Sequence, residues 1–340
     1  MKAIALVSGG LDSYLAAKLV QEQGVELVAL NFQTPFRQGG AEEGRSADVS
    51  AISSILGIEP EVAFLGKDFL DAVRSPRFGR GKNMNPCIDC RVLMLSHAKR
   101  RMESEGAKFV VTGEVLGQRP LSQHHRALDL ADRESGLERL VLRPLSATLL
   151  PPTIPEAEGW VDRAKLLAIS GRGRKEQLRM AHEYGIENPP TPAGGCLLTD
   201  PAFSRRVRDL LDARGDLDPR LVQLLKYGRY FRFGGPDAGE KAGWSVLIVG
   251  RNESDNGKLE SLRGNEEWIF RAANCPGPVA VGIGGWTPDL VAHAASIVAR
   301  YSDAPESGDV EVEIGEARSG RVSKVVARGM EPEGAGARRL

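Results

Sequence analysis

SGGLDS, residues 8–13, directly follows the apolar run KAIALV of residues 2–7, and its reading decides the fold. A glycine pair between a buried strand and a helix lets backbone N–H groups converge on a bound anion, and the helix N-terminus adds partial positive charge. Phosphate is the natural guest. The nucleotide loop with a Lys before its Ser or Thr is excluded, because neither that Lys nor its longer glycine spacing is present, and the GxGxxG pattern is absent too. A plain glycine turn with Asp12 or Ser13 capping a helix accounts for two or three of these residues, but not for all six after a first strand.

The same rhythm continues downstream. VELVALNF (25–32), SADVSAISSILG (46–57), EVAFL (61–65), CRVLMLSHAKRRMESEG (90–106), KFVVTGEV (108–115) and RLVLRPL (139–145) alternate strand-like and helix-like patterns. Such alternation predicts a doubly wound α/β domain over residues 1–148, with a mostly parallel sheet and helices on both faces. LLPPTIPEAEG (149–159) carries too many prolines for a helix or central strand and reads as a linker where the first domain ends. Residues 149–235 then read as linker and helical segment, with a local excess of base that includes Arg172, Arg174, Lys175, Arg179, Arg205, Arg206 and Arg208. That excess reads equally as a solvated helical face or as an RNA surface. From Trp244 strand-like runs dominate, and residues 240–330 read as a small α+β domain with an antiparallel sheet. EPEGAGARRL (331–340) reads as a disordered tail.

At 340 residues the chain suggests two or three domains at roughly 150 residues each. Lys plus Arg and Asp plus Glu balance at 45 each, so no global field advertises a polyanion, and any such site must be a local patch. No apolar stretch approaches the roughly 18 residues that span a bilayer, and the first strand is too short for a signal peptide. The expectation is a cytoplasmic protein without a membrane partner. Four cysteines, Cys87, Cys90, Cys196 and Cys275, are too few for a disulfide framework and fit a reducing compartment, where cysteines do chemistry or bind metal.

Strand, SGGxDS and helix together resemble the PP-loop of ATP pyrophosphatases, which split ATP into AMP and pyrophosphate while adenylating a substrate. The resemblance implies a PP-loop/HUP-like fold in which Ser8, Gly9, Gly10 and Ser13 cradle the pyrophosphate and Asp12 helps to hold Mg²⁺. Asn31, at the carboxyl end of the second strand, then lies beside the nucleotide. NPCIDCRVLML (85–95), TGEVLGQRP (112–120) and PAGGCLLTDP (192–201) extend the resemblance to tRNA thiouridine synthases and their thiamine-biosynthesis-like relatives, over residues 1 to about 210. Gly113 and Gln118 match the superfamily's TGxxxxQ element. Cys87 and Cys90 share one helical turn, and Cys196 follows two glycines and a proline. In the sulfur-inserting branch three cysteines hold a [4Fe-4S] cluster with one iron open to exogenous sulfide, and the resemblance implies that role for Cys87, Cys90 and Cys196. Two rivals stand beside it: Zn²⁺ with a fourth ligand from His97, His124 or His125, and a persulfide exchanged between cysteines without metal. His124 and His125 read more simply as a polar helix start, and Cys275 as a structural cysteine.

VLIVGRNESDN (246–256), EEWIF and CPGPVAV are similar to the RNA-binding module of NFACT proteins. The usual module carries a histidine near the segment that here runs from Arg271 to Asn274, so that histidine's role is not carried over. Packing or dimerisation is the alternative use of this domain, which leaves a homodimer open. The combined expectation is an ATP- and Mg²⁺-dependent tRNA sulfurtransferase that draws on sulfide or a persulfide-carrying protein. Two rivals remain: sulfur transfer to a small molecule such as a thiamine precursor, and a non-catalytic, ATP-responsive RNA-binding factor.

Overall fold

The structure of the chain, a computed structural model, describes residues 1–37, 41–187, 196–234, 244–304 and 308–340, without the side chains of 41–48. It divides into two compact units, Met1–Asp200 and Pro201–Leu340.

In the first unit, β1 (Lys2–Leu6) is apolar and buried on both faces from Ala3 to Leu6, as a central parallel strand must be. It is followed by α1 (Leu11–Gln21), β2 (Glu26–Gln33), α2 (Ala41–Leu56), β3 (Glu61–Phe64), α3 (Lys67–Arg74), α4 (Cys87–Glu105) and β4 (Phe109–Thr112). Then come α5 (His125–Glu134), β5 (Val141–Leu142), α6 (Ile154–Ala157) and α7 (Lys175–Glu183). The five strands pair in the order β3-β2-β1-β4-β5, every pair parallel. The order reverses between β1 and β4, and the crevice at such a reversal is where α/β sheets bind ligands. SGGLDS begins at the carboxyl end of β1 and therefore lies at that point.

The expected domain end at 149–159 is not found. Pro155 stands in the first turn of α6, where proline is tolerated, and Thr153 and Glu156 form a capping box there. Leu145, Ala147, Val161 and Leu166 are buried in the same core as Ala3, Tyr14 and Phe109. Apolar residues on both sides of the prolines thus hold this stretch inside the first unit.

The second unit contains α8 (Pro201–Arg214), α9 (Pro219–Leu224), β6 (Arg229–Phe233), β7 (Ser245–Val249), α10 (Glu253–Leu262) and β8 (Trp268–Ala272). After these come β9 (Val279–Gly284), α11 (Pro288–Arg300), β10 (Asp309–Gly315), β11 (Val322–Arg328) and β12 (Ala337–Arg339). Its seven strands form an antiparallel sheet in the order β11-β10-β8-β9-β7-β6-β12.

The domain bounds near 235 and 240 are also corrected, because 201–233 joins the sheet. Buried Asp209 on α8 accepts hydrogen bonds from Tyr230 Oη at 2.7 Å and Trp244 Nε1 at 3.2 Å and pairs with Arg232. Arg220 on α9 makes a two-pronged contact to buried Glu267, at 2.8 and 3.0 Å. The tail is corrected as well. Its last residues form β12, with Ala337 opposite Phe233 and Arg339 opposite Phe231. β6 would otherwise be an open edge, and the small buried side chains Ala335 and Ala337 let a polar, glycine-rich tail cover it.

Candidate functional site

The loop after β1 is shaped by its own hydroxyls. Ser13 Oγ donates to the Gly10 carbonyl at 2.7 Å and accepts from the Ser8 N–H at 3.2 Å. Gly9 adopts φ +81°, a left-handed conformation that glycine enters without strain. Gly10 is the N-cap of α1 and offers no side-chain cap, so the helix presents a ready anion site.

Gly113, at the end of β4, fits against the first turn of α1. A Cβ there would stand 2.5 Å from the Ser13 nitrogen and 2.6 Å from the Ser13 Cα, both backbone atoms that cannot swing away. Gly113→Ala is therefore expected to cost about 1–3 kcal/mol of stability and to weaken ATP binding. Thermal melts with and without ATP check this, and an unchanged melt and ATP shift would contradict it.

Two elements 106 residues apart in sequence meet at this loop: Gln118 Nε2 donates to Asp12 Oδ2 at 2.9 Å. Asp12 Oδ1 is buried without a hydrogen-bond partner among the described residues. A carboxylate oxygen left bare beside an anion cradle fits a hard cation that takes oxygen ligands, so the residues suit Mg²⁺. Asp12 lies in the first turn of the helix, half-buried, rather than on an open loop.

Asn31 is held by hydrogen bonds within the fold. Its Nδ2 donates to the Val7 carbonyl at 2.7 Å, its Oδ1 accepts from Gln33, and Gln33 Oε1 in turn accepts from Arg37 at 3.1 Å. Both ends of its buried amide are thus engaged within the fold. Asn31 fixes the residue before the loop and has a supporting place beside the nucleotide crevice.

Cys87 and Cys90 stand in the first turn of α4. Asn85 Nδ2 donates to Cys87 Sγ at 3.1 Å. Gly194 and Gly195 lie outside the described residues, but the turn carrying Cys196 is anchored on two sides. Leu197 N–H donates to the Phe36 carbonyl at 2.9 Å, and Asn83 Nδ2 donates to the Thr199 carbonyl at 2.8 Å. Those contacts bring the turn to the loop that leads into Cys87.

Burial pushes the Cys90 thiol up to about 12; Cys196 and Cys87 add to the shift, while Arg91 and Arg119 oppose it. Cys90 keeps part of its residue surface exposed, yet its sulfur is shielded enough for burial to dominate.

Among the described residues, no three His, Cys, Asp or Glu side chains are gathered tightly enough to grip a single metal ion. The histidines weighed for zinc have other roles. His124 Nδ1 caps α5 by accepting the Ala127 N–H at 3.3 Å, His125 opens that helix, and His97 packs edge-on against Phe32 at 5.4 Å. Cys275 lies in the second unit, half-buried at the edge of its core.

Sequence reasoning missed a buried ion network beside these thiols. Glu114 pairs with Arg91 at 3.0 Å and Arg143 at 3.1 Å, and Arg143 grips Asp132 at 2.6 and 2.8 Å. Burial opposes the Glu114 charge, but Arg91 and Arg143 outweigh it and hold its carboxyl below the usual range. Arg91 follows Cys90 and Glu114 follows Gly113, so the network joins the thiol helix to the strand that backs the phosphate loop.

Residues 1–148 match the family described as "Thiamine biosynthesis protein (ThiI)", and residues 228–335 match "NFACT protein RNA binding domain". The tRNA-specific 2-thiouridylase MnmA of Acidithiobacillus ferrooxidans is 24% identical over 335 residues, covering 90% of this chain and 86% of that protein. The protein of the same name from Pelobacter propionicus is 31% identical over 197 residues, covering 55% and 50%. A solved 4-thiouridine synthetase–RNA complex with bound ATP is 20% identical, with a TM-score of 0.38, and covers 66% of this chain and 53% of that one.

Proposed function

We propose that the chain, whose residues 1–148 match the ThiI family and whose residues 228–335 match the NFACT RNA-binding domain, is an ATP-dependent tRNA sulfurtransferase. The observation that carries the reading is the meeting of Asp12 with Gln118 at the sheet's reversal point, with one Asp12 oxygen left bare beside the anion cradle. The matched RNA-binding domain and the thiouridylase relatives support tRNA as the substrate.

In the first step a uridine carbonyl oxygen attacks the α-phosphorus of ATP, and pyrophosphate leaves. A poor leaving oxygen has then become the good leaving group AMP. In the second step sulfide attacks the same carbon, the C–O bond breaks and AMP departs, leaving C=S.

Ser8, Gly9, Gly10 and Ser13 hold the departing pyrophosphate through amides and hydroxyls preset before reaction, the least costly form of charge stabilisation. Asp12, steadied by Gln118, would hold Mg²⁺, which when bound would neutralise phosphate charge. Asn31 fixes the strand end that launches the loop, and Gly113 lets β4 approach it. Cys87, Cys90 and Cys196 would hold the sulfur site; a [4Fe-4S] cluster carried by these thiolates would supply a Lewis-acidic iron for exogenous sulfide.

Release of AMP and pyrophosphate in equal amounts, dependent on tRNA and Mg²⁺, tests the reading. Turnover with a thiamine precursor but not with tRNA would replace it by small-molecule sulfur transfer. Absence of any pyrophosphate release would leave an RNA-binding factor that holds ATP.

Because the units divide at Asp200 and Pro201, the test of the RNA domain ends the chain at Asp200; a cut at 240 would strip β6 of its partner β7. The shortened chain is expected to lose most tRNA affinity and to show a shallower dependence of binding on salt, with ATP binding kept. Undiminished tRNA affinity measured by filter binding would place the RNA surface in the first unit.

A further inference from the structure

Arg119 carries a charge that the fold does not use. It is exposed, and its guanidinium enters no hydrogen bond or ion pair among the described residues. Its backbone, by contrast, is firmly held. The Arg119 N–H donates to the Oε1 of buried Gln123 at 3.0 Å, and the Arg119 carbonyl accepts from the Gln123 N–H at 2.9 Å and the Ser122 N–H at 3.3 Å. The turn is fixed while its cation is left to solvent.

That turn stands between the two halves of the candidate site. On one side the neighbouring Gln118 donates to Asp12 Oδ2 at 2.9 Å, in the first turn of the helix that follows the phosphate cradle. On the other, Arg119 and Arg91 are cations whose charge favours the Cys90 thiolate. Arg91 is already committed, because its Nε pairs with buried Glu114 at 3.0 Å. The same pair ties the residues just past β4, which lead into the Arg119 turn, to the helix that carries Cys90, so the approach rests on direct contact as well as on charge. Arg119 acts at the thiols without an acid of its own.

The proposed reaction builds negative charge in that interval. As hydrosulfide bonds to the adenylated carbon, the C–O electron pair leaves with AMP, whose phosphate goes from one negative charge to two, and the sulfur's proton passes to the ring nitrogen. The growing charge sits on the α-phosphate, between the pyrophosphate cradle and the sulfur site. A guanidinium offers two parallel N–H donors to two phosphate oxygens, on a rigid plane that lysine lacks.

We propose that Arg119 is the ligand of the α-phosphate: its guanidinium grips the AMP group of the adenylated uridine and stabilises the charge that AMP gains as it leaves. The proposal deepens the sulfurtransferase reading and rests on it.

The test compares full-length wild type with Arg119→Gln and Arg119→Lys for AMP release, thiolated uridine, tRNA affinity over a range of salt, and thermal melting. Both variants are expected to melt with wild type, because no internal hydrogen bond or ion pair is lost. Arg119→Gln is expected to lower AMP release at saturating tRNA by roughly 100-fold, with thiolation falling in step, and Arg119→Lys to recover only part of that loss, as a point charge without the planar fork. Affinity for tRNA and its salt dependence are expected to stay at wild type. Weaker tRNA binding with a salt slope shallower by about one, at an unchanged saturated rate, overturns the proposal and makes Arg119 a contact to the RNA backbone. Unchanged rate and unchanged binding also overturn it, and leave the sulfurtransferase reading intact where wild type releases AMP with tRNA. Wild type that releases no AMP in the presence of tRNA overturns that reading and the proposal with it.

Discussion

Asp12→Asn is expected to lower tRNA-dependent release of AMP and pyrophosphate by roughly 100- to 1,000-fold while leaving the fold in place. The substituted amide keeps an oxygen to accept from Gln118 Nε2, now 2.9 Å from Asp12 Oδ2, so the contact between the loop and the TGxxxxQ element survives. What disappears is the negative charge and the bare oxygen Oδ1. Because that oxygen has no hydrogen-bond partner among the described residues, its loss removes no hydrogen bond seen in the fold, and the melting temperature should stay near wild type. Pyrophosphate release checks the prediction directly. Full turnover by the variant would remove Asp12 from the metal site.

The second large effect concerns the thiols. Alanine at any one of Cys87, Cys90 or Cys196 is expected to abolish sulfur incorporation, whereas Cys275→Ala, in the other unit, should leave it unchanged. Anaerobically purified wild type should carry about four irons per chain with matching labile sulfide, and each of the three variants should lose most of that iron.

The pH behaviour of the metal-free protein follows from the same geometry. A thiol raised to about 12 is almost wholly protonated at neutral pH, and only the thiolate attacks. Alkylation of Cys90 should therefore be slow at pH 7 and rise steadily as pH rises toward that value. Fast Cys90 alkylation at pH 7, or iron-free protein that still transfers sulfur, would favour a persulfide route. Zinc in place of iron would favour the rival metal.

Much of the first unit was legible because its strands are short apolar runs between turn signals, and the SGGLDS loop marked where the sheet reverses. Spacing raised the expectation that the cysteines meet, but the contacts that anchor the Cys196 turn, from Asn83 to Thr199 and from Leu197 to Phe36, have no local signature. The ion network was missed although its signal was present. Glu114 and Arg143 are charges set inside the apolar runs KFVVTGEV and RLVLRPL, and a charge in such a run needs a buried partner.

The domain end was misplaced because prolines and a cluster of turn residues resemble a linker whether or not the flanking leucines and valines share a core. The tail was misread for a related reason. Composition reports how little apolar surface EPEGAGARRL has to bury, but not that β6 has an open edge that two small alanines can cover.

The most direct test of the central claim is mass analysis of nucleosides from bulk tRNA of cells with and without the gene, repeated on tRNA treated with purified protein, ATP, Mg²⁺ and sulfide. The account predicts a uridine heavier by the difference between sulfur and oxygen, lost with the gene and restored in the reaction together with equal AMP and pyrophosphate. Identical nucleosides in both cell lines, with no thiolated uridine formed by the purified protein, would contradict it.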